Sequence, residues 1–214
     1  MRILRTFTAG MMALSLFAGC KKTADNSINY KAAINAWYSA HPSCLWDTSQ
    51  KFPTQVAASN DSQNAPFAAL VDQGLLVRST SEKKIIIVSK QEINYDLSDN
   101  GRSAWTADVN QPGYGNFCYG HRTVQTITNS TPNSGEPGTT ATVNFQYNFT
   151  GAPSWAQSPE VQNAFPQVKT DLAGAGSASA TLTDTANGWQ VTTPPPTSSG
   201  YAPKTSAADG KIVQ

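Results

Sequence analysis

Two cysteines and two histidines are the residues whose types and spacing could do chemistry in this 214-residue chain. His41 precedes Cys44 by three positions, and His121 follows Cys118 by three positions. Thiolates and imidazoles are the ligands of closed tetrahedral zinc sites, so the four side chains could hold Zn²⁺ if the two segments meet in the fold. The alternative is a disulfide between the two cysteines with the histidines packed beside it.

Other catalytic chemistry has few candidate residues. A nucleophilic Ser or Cys needs a base within reach and an acid that orients the base. The chain has no Gly-x-Ser-x-Gly motif, and its only imidazoles are His41 and His121. Paired carboxylates could cleave glycosidic bonds, but the fourteen acidic residues lie mostly in turn-like sequence. We therefore assign no catalytic residue.

The start of the chain has the pattern of a secretory signal. Arg2 and Arg5 precede an apolar stretch that is too short for a good membrane-spanning helix and that ends in residues 16–20, LFAGC. The two small residues before the cysteine, and the polar residues 21–27 after it, resemble the lipobox signal of bacterial lipoproteins. Phe17 stands where that family more often has leucine.

The resemblance implies a cellular location and a mode of membrane attachment. Residues 1–19 would be a signal peptide that is removed before Cys20, Cys20 would be acylated, and residues 20–27 would form a tether. Buried acyl chains contribute about 0.8 kcal/mol per methylene, so such an anchor needs no helix. In the better-known Gram-negative bacteria an Asp after the cysteine holds the family at the inner membrane. Lys21 therefore favours the periplasmic face of the outer membrane, with the inner membrane as the alternative.

An oxidising compartment favours one interpretation of the remaining cysteines. Zinc needs reduced thiolates, whereas a lone pair of cysteines far apart in a secreted chain most often forms a disulfide. We therefore expect Cys44 and Cys118 to be bonded and no cofactor to be bound, with free thiols or the zinc set as alternatives. Closing so long a loop would stabilise the fold by about 4 kcal/mol on the chain-entropy model.

Charge excludes one class of partner. Loss of the signal peptide takes the formal charge from +1 to −1, because Arg2 and Arg5 are removed with it. Such a chain has no general basic field for nucleic acid or anionic lipid. We expect it to meet the membrane through Cys20 alone and to bind no nucleic acid.

Aromatic residues are the remaining candidates for a binding surface. Exposed aromatics on a secreted β domain can bind glycans or partner proteins. Most aromatics of this chain stand at the helical or alternating spacing that is typical of a core. Tyr114 and Trp155 lie in loop-like sequence, so we predict that they contact a partner, either an envelope protein or peptidoglycan.

The elements that must position these residues divide the chain into an α+β arrangement. Residues 28–106 predict a small helical part, with a helix over 28–40 capped by Ser27 and a second helix over 64–73. A short helix is expected within Phe52–Ser59. The β-branched run 84–89 predicts a strand whose hairpin partner is 93–97.

Residues 64–103 resemble the wing region of winged-helix domains. The similarity rests on Leu70, a Gly-Leu-Leu turn that begins at Gly74, and a Tyr-x-Leu-Ser-x-x-Gly pattern that begins at Tyr95. Many winged helices read DNA, but the predicted recognition helix carries no Arg or Lys between Asn64 and Gln73. A lipid-anchored periplasmic chain also meets no DNA. The resemblance therefore implies a scaffold used for packing or protein contact.

Residues 107–193 predict an antiparallel β region with a short helix. A strand is expected over 116–128, and apolar residues alternate with polar ones over 141–150, which predicts one buried and one wet face. A short helix follows near 160–166, and a hairpin joins 178–183 to 189–193. The Pro-rich stretch 194–214 is expected to be a disordered tail.

These observations favour a non-enzymatic function. We expect a lipid-anchored periplasmic module that binds a partner at the cell envelope. The alternative is an enzyme that acts on cell-wall material through carboxylate residues that the sequence does not identify. A cleft with two or more ionisable groups of shifted pKa would favour the enzyme.

Overall fold

The chain is an α+β protein in which helices accompany two antiparallel sheets. The structure is a computed structural model that describes residues 26–85, 88–131 and 136–195. The predicted signal peptide, Cys20, most of the tether and residues 196–214 of the predicted tail lie outside the described residues.

The described elements follow in a fixed order along the chain. The helices are α1 (Ser27–Ala40), α2 (Asp61–Asp72), α3 (Asp99–Ala104), α4 (Pro159–Ala164) and α5 (Pro166–Leu172), with a 3₁₀ turn at Ser154–Gln157. The strands are β1 (Ser43–Cys44), β2 (Gln50–Lys51), β3 (Thr54–Ala57), β4 (Leu76–Ile85), β5 (Val88–Leu97), β6 (Trp105–Ala107), β7 (Tyr114–Ser130), β8 (Thr140–Thr150), β9 (Gly176–Thr185) and β10 (Gly188–Thr193). No helix in the described ranges is long and apolar enough to cross a membrane.

Strand β7 organises the larger sheet. Its first half pairs with β1, β2 and β6, and its second half pairs with β8, which continues through β9 to β10. The smaller sheet has the order β3-β5-β4. All of these pairings are antiparallel.

Gly120 changes which side chains of β7 face inward. Strict alternation would send Tyr119 and Arg122 to opposite faces, because they are three residues apart, yet both are buried. Gly120 adopts φ 136°, a conformation that side chains of L-residues disfavour, and a Cβ there would meet the carbonyl of Thr150 and the ring of Phe149. The glycine thus lets one strand serve two packed interiors.

The first core joins the smaller sheet to the C-terminal helices. It contains thirteen buried residues, among them Leu70 of α2, Phe117 of β7 and Val161 of α4. Asn64 ties α2 to both strands beside it, because its Nδ2 donates to the Ala57 carbonyl at 2.9 Å and its Oδ1 accepts from the Tyr95 hydroxyl at 2.9 Å.

The second core lies between α1 and the larger sheet. Tyr30, Ile34 and Tyr38 recur every fourth residue of α1, so they share one helix face and are buried together against the sheet. Strand β8 contributes its apolar set from Ala141 to Tyr147, and the burial pattern along β8 confirms the predicted alternation.

Several predicted elements differ from those observed. The segment 52–59 contains strand β3 rather than a helix, because its backbone pairs with β5. The run 84–89 is not one strand: β4 ends at Ile85, which pairs with Val88 of β5, and residues 86 and 87 lie outside the described residues. Helix α2 begins three residues before the predicted start, where the Asn60 side chain caps it by accepting from the Gln63 N–H.

The packing of helix α1 does not follow the predicted division of the chain into residues 28–106 and 107–193. Ser27, predicted as its cap and as the end of the tether, is its first residue. The helix belongs by sequence to the predicted helical region 28–106, yet it packs on the β region 107–193 through the second core. The two cores therefore do not follow the predicted boundary, because the apolar face of α1 is buried by β7 and β10 rather than by α2.

We predict that Gly120→Ala destabilises the fold by about 2 to 3 kcal/mol, because the new Cβ would lie 2.5 Å from the Thr150 carbonyl oxygen. Gly138→Ala is the matched control: Gly138 also has positive φ, but a methyl group added there would meet no atom within 4 Å. We expect the control to cost about 1 kcal/mol, from backbone strain alone. Urea unfolding measures both values, and equal losses would contradict the steric explanation.

Candidate functional site

The two cysteines of the described chain are brought together. Cys44 of β1 lies opposite Cys118 of β7, and their sulfur atoms are at bonding distance, 2.04 Å. Cys44 is fully buried. The pair is thus placed to form the expected disulfide, which closes a sequence separation of 74 residues.

The histidines do not complete a metal site. His41 stacks on Trp37 at a ring distance of 4.3 Å, and its Nδ1 lies 2.7 Å from the Trp37 carbonyl oxygen. His121 lies opposite Thr150 in the β7–β8 ladder. The described residues contain no group of three or more His, Cys, Asp or Glu side chains that could hold a metal ion. The alternative zinc set of His41, Cys44, Cys118 and His121 is not such a group, and the sulfur atoms of the two cysteines face each other instead.

Tyr114 and Trp155 occupy different environments. Tyr114 is half-buried at the start of β7, where it pairs with Lys51 and the ammonium lies 5.6 Å from its ring centroid. Trp155 is also partly buried and packs against the first core, with its ring 6.1 Å from that of Phe117 in an edge-on arrangement. Trp155 therefore offers a partner less surface than its loop-like sequence predicts, and the partner-binding role of both residues stays a prediction.

A buried polar cluster lies where the two cores meet. Arg122 of β7 and Asp171 of α5 form an ion pair at 3.3 Å, and their side chains are 9% and 2% exposed. The Tyr119 hydroxyl donates to the other carboxylate oxygen of Asp171 at 2.7 Å. The Arg122 guanidinium also lies over the ring of Tyr147, 4.7 Å from its centroid. Breaking such a buried pair by removing one partner typically costs about 3 to 5 kcal/mol.

Burial governs the titration of this cluster. Burial raises the pKa of Tyr38 to about 12, and the nearby Arg122 guanidinium only partly opposes that rise. The Tyr38 hydroxyl forms no hydrogen bond of acceptable geometry among the described residues, so its contact with Arg122 is electrostatic. Burial acts to lower the pKa of Arg122, but Tyr147, Tyr38 and Asp171 outweigh it, and the net pKa is raised.

These shifted groups belong to the packed interior. Tyr38, Arg122 and also Tyr95, whose pKa burial raises, are all buried. An open groove is lined by Val77, Leu97, Ser98, Asp99 and Asn100, and none of the shifted groups lines it. This groove therefore does not combine a cleft with groups of shifted pKa, the combination that would favour the enzyme alternative.

The larger sheet leaves one face uncovered by the described residues. The outward side chains of β8 are all exposed. These six residues are Thr140, Thr142, Asn144, Gln146, Asn148 and Thr150. Outward residues of the neighbouring strands β7 and β9 pair with these β8 residues and lie on either side of them. These are Thr123, Thr126 and Asn129 of β7 and Ser177, Ser179, Thr181 and Thr183 of β9. We call this set the open face.

The open face is polar and uncharged throughout. It consists only of Thr, Ser, Asn and Gln, with His121 at one end opposite Thr150. The opposite face of the same strands is buried against α1. The alternation over 141–150 predicted that β8 would have a wet face, but the extension of the same chemistry to β7 and β9 depends on strand register, which the sequence does not give.

We predict that removing the disulfide lowers the free energy of unfolding by about 4 kcal/mol, through the entropy of the long closed loop. The variant is Cys44→Ala/Cys118→Ala, and wild type treated with a phosphine reductant is its control. Urea unfolding should show the same loss in both samples, and thiol titration of untreated wild type should detect no free thiol at either cysteine. A midpoint that does not respond to the reductant would contradict the prediction.

A second prediction concerns pH. Because the pKa of Tyr38 is about 12 in the folded protein and about 10 when unfolded, the folded state holds this proton more tightly. Its contribution to stability is complete below pH 10 and is lost as the pH rises from 10 through 12, by roughly 3 kcal/mol in all.

The variant that tests this is Tyr38→Phe, which cannot ionise. Between about pH 9 and pH 11 its free energy of unfolding should fall less than that of wild type, while Tyr95 still contributes in both proteins. At neutral pH the variant should be at least as stable as wild type, because it removes a buried hydroxyl that has no hydrogen bond among the described residues. Tyr114→Phe, at a half-buried site, is the control, and an alkaline loss unchanged by Tyr38→Phe would refute the assignment.

No protein-family model, no curated protein and no solved structure matches this chain.

Proposed function

We propose that this chain is a lipid-anchored, non-enzymatic binding module of the cell envelope. The mature protein begins at Cys20, is held by acyl chains on that residue, and faces the periplasm from the outer membrane. The lipobox-like residues 16–20 and the Lys21 that follows them support this address. The opposed Cys44 and Cys118 are consistent with it, because disulfides persist in oxidising compartments.

The observation that carries the binding function is the open face. Strands β7 to β10 of the larger sheet bury one side against α1, and β7 to β9 present rows of uncharged hydrogen-bonding groups on the other side. We therefore place the binding surface on the open face rather than on Tyr114 and Trp155, which pack against their neighbours.

The segment 64–103 serves, in this proposal, as a winged-helix-like scaffold. Helix α2 leads into the β4–β5 hairpin, β3 pairs on the outer side of β5, and the Ser98 side chain caps the turn into α3 by accepting from the Gly101 N–H at 2.8 Å. These features support the resemblance. The scaffold packs α2 against α4 within the first core, so its role is structural.

Site-specific photocrosslinking in living cells tests the proposed function. A photoreactive residue at Thr142 or Gln146 of the open face should capture an envelope component. The same residue at Gln55, on the exposed side of β3, is the positional control and should capture none. Cys20→Ser should abolish labelling by a fatty-acid probe and release the protein from the membrane fraction. Membrane retention of that variant, or equal capture from Gln55, would contradict the proposal.

A further inference from the structure

We infer that Asn187, in the turn between β9 and β10, is a site of spontaneous chemical modification, at which the side-chain amide is lost and aspartate or isoaspartate is formed. An asparagine followed by glycine is the most reactive pair for this reaction, because glycine has no side chain to hinder attack by its own backbone nitrogen. The sequence contains two such pairs, Asn100-Gly101 and Asn187-Gly188. The fold places them in different environments.

The reaction needs water as its only co-reactant. The Gly188 nitrogen gives up its proton to hydroxide and attacks the side-chain carbonyl carbon of Asn187. A new C–N bond closes a succinimide ring, the bond to the side-chain nitrogen breaks, and ammonia leaves. Water then opens the ring at either carbonyl. The products are aspartate and isoaspartate, and in isoaspartate the main chain runs through the side-chain carbonyl and is longer by a methylene.

The surroundings of Asn187 leave room for the ring to close. Ala186, Asn187 and Gly188 are all exposed, and the Asn187 side chain forms no hydrogen bond with a described residue. A Cβ added at Gly188 would meet no atom within 4 Å. Gly188 and Thr185 are the last pair of the β9–β10 ladder, and the end of a ladder opens at little cost in free energy.

The other pair is protected by the backbone around its glycine. Asn100 is also exposed, so exposure of the asparagine does not distinguish the two sites. Gly101 is buried in α3, and a Cβ there would overlap the Leu75 carbonyl oxygen. The Gly101 N–H donates to the Ser98 hydroxyl at 2.8 Å, so the nitrogen that would attack is held in the helix cap. This cap must open before the ring can form, which raises the barrier.

Isoaspartate at position 187 would act on the second core. Trp189, two residues further on, pairs with Asp184 and packs edge-on against Tyr30 of α1 at a ring distance of 4.8 Å. Strand register decides which face each side chain occupies, and a longer main chain between Asn187 and Gly188 disturbs that register. Isoaspartate therefore loosens β10 from α1, whereas aspartate adds a negative charge to an exposed turn and leaves the register intact.

Peptide mapping of the purified protein tests the inference. The folded protein is incubated at mildly alkaline pH and digested at intervals, and mass spectrometry with chromatographic separation quantifies asparagine, aspartate and isoaspartate at both sites of the same sample. Asn187 should convert at least about tenfold faster than Asn100, because the protected site must open first. In concentrated urea the two rates should become similar, since the cap and the packing of Gly101 are then lost.

Equal rates at the two sites of the folded protein, or faster conversion of Asn100, would overturn the inference. A difference that persists unchanged in urea would overturn it as well, because the flanking sequence and not the fold would then explain it.

Two variants at the exposed turn test the effect on the core. Asn187→Gln should not convert, because glutamine would have to close a larger and less favourable ring, and Asn187→Asp carries the charge without the longer main chain. After incubation, hydrogen exchange of β10 and α1 should become faster in the converted wild type and stay unchanged in both variants. Equally fast exchange in Asn187→Asp would refute the effect on register, and equal loss of protection in incubated Asn187→Gln would place the damage at another residue.

Discussion

The ion pair between Arg122 and Asp171 is the interaction on which the joint between the two cores depends. Burying two charges costs several kcal/mol per ion, and good geometry together with further hydrogen bonds must offset that cost. Here the Tyr119 hydroxyl donates a hydrogen bond to the second carboxylate oxygen of Asp171, and the Arg122 guanidinium lies over the Tyr147 ring. Because Arg122 lies on β7 and Asp171 on α5, this compensation holds the C-terminal helices at one place on the sheet.

Strand β7 connects the two cores, because it runs through both of them. It supplies Phe117 to the first core and Val124 to the second, so neither core can form fully without it. Gly120 allows both sets to face inward, and the bond from Cys118 to Cys44 holds the segment after α1 against the same strand. The result is a frame in which α1 covers one side of the larger sheet and leaves the other side uncovered by described residues. The open face is thus a consequence of how the second core is closed.

Much of this could be predicted from local pattern. The alternation along β8, the spacing of Tyr30, Ile34 and Tyr38, and the β9–β10 hairpin depend on periodicities that each element displays by itself. Other features could not be predicted. The strand at Thr54–Ala57 exists because β5 lies beside it, and the start of α2 depends on the Asn60 cap rather than on apolar spacing. The run 84–89 misled because its β-branched residues favour strand structure without showing where β4 ends and β5 begins.

The sequence by itself determined the chemistry available to the chain, which has few charges, two cysteines beyond Cys20 and many Thr and Asn residues, and the residues that end at Cys20 predict its address. Only the tertiary structure decided where that chemistry lies. Arg122 and Asp171 are 49 positions apart, and the rows of the open face join residues of three strands. Contacts of this kind arise from register and packing, which depend on the whole chain at once, and no local spacing reports them.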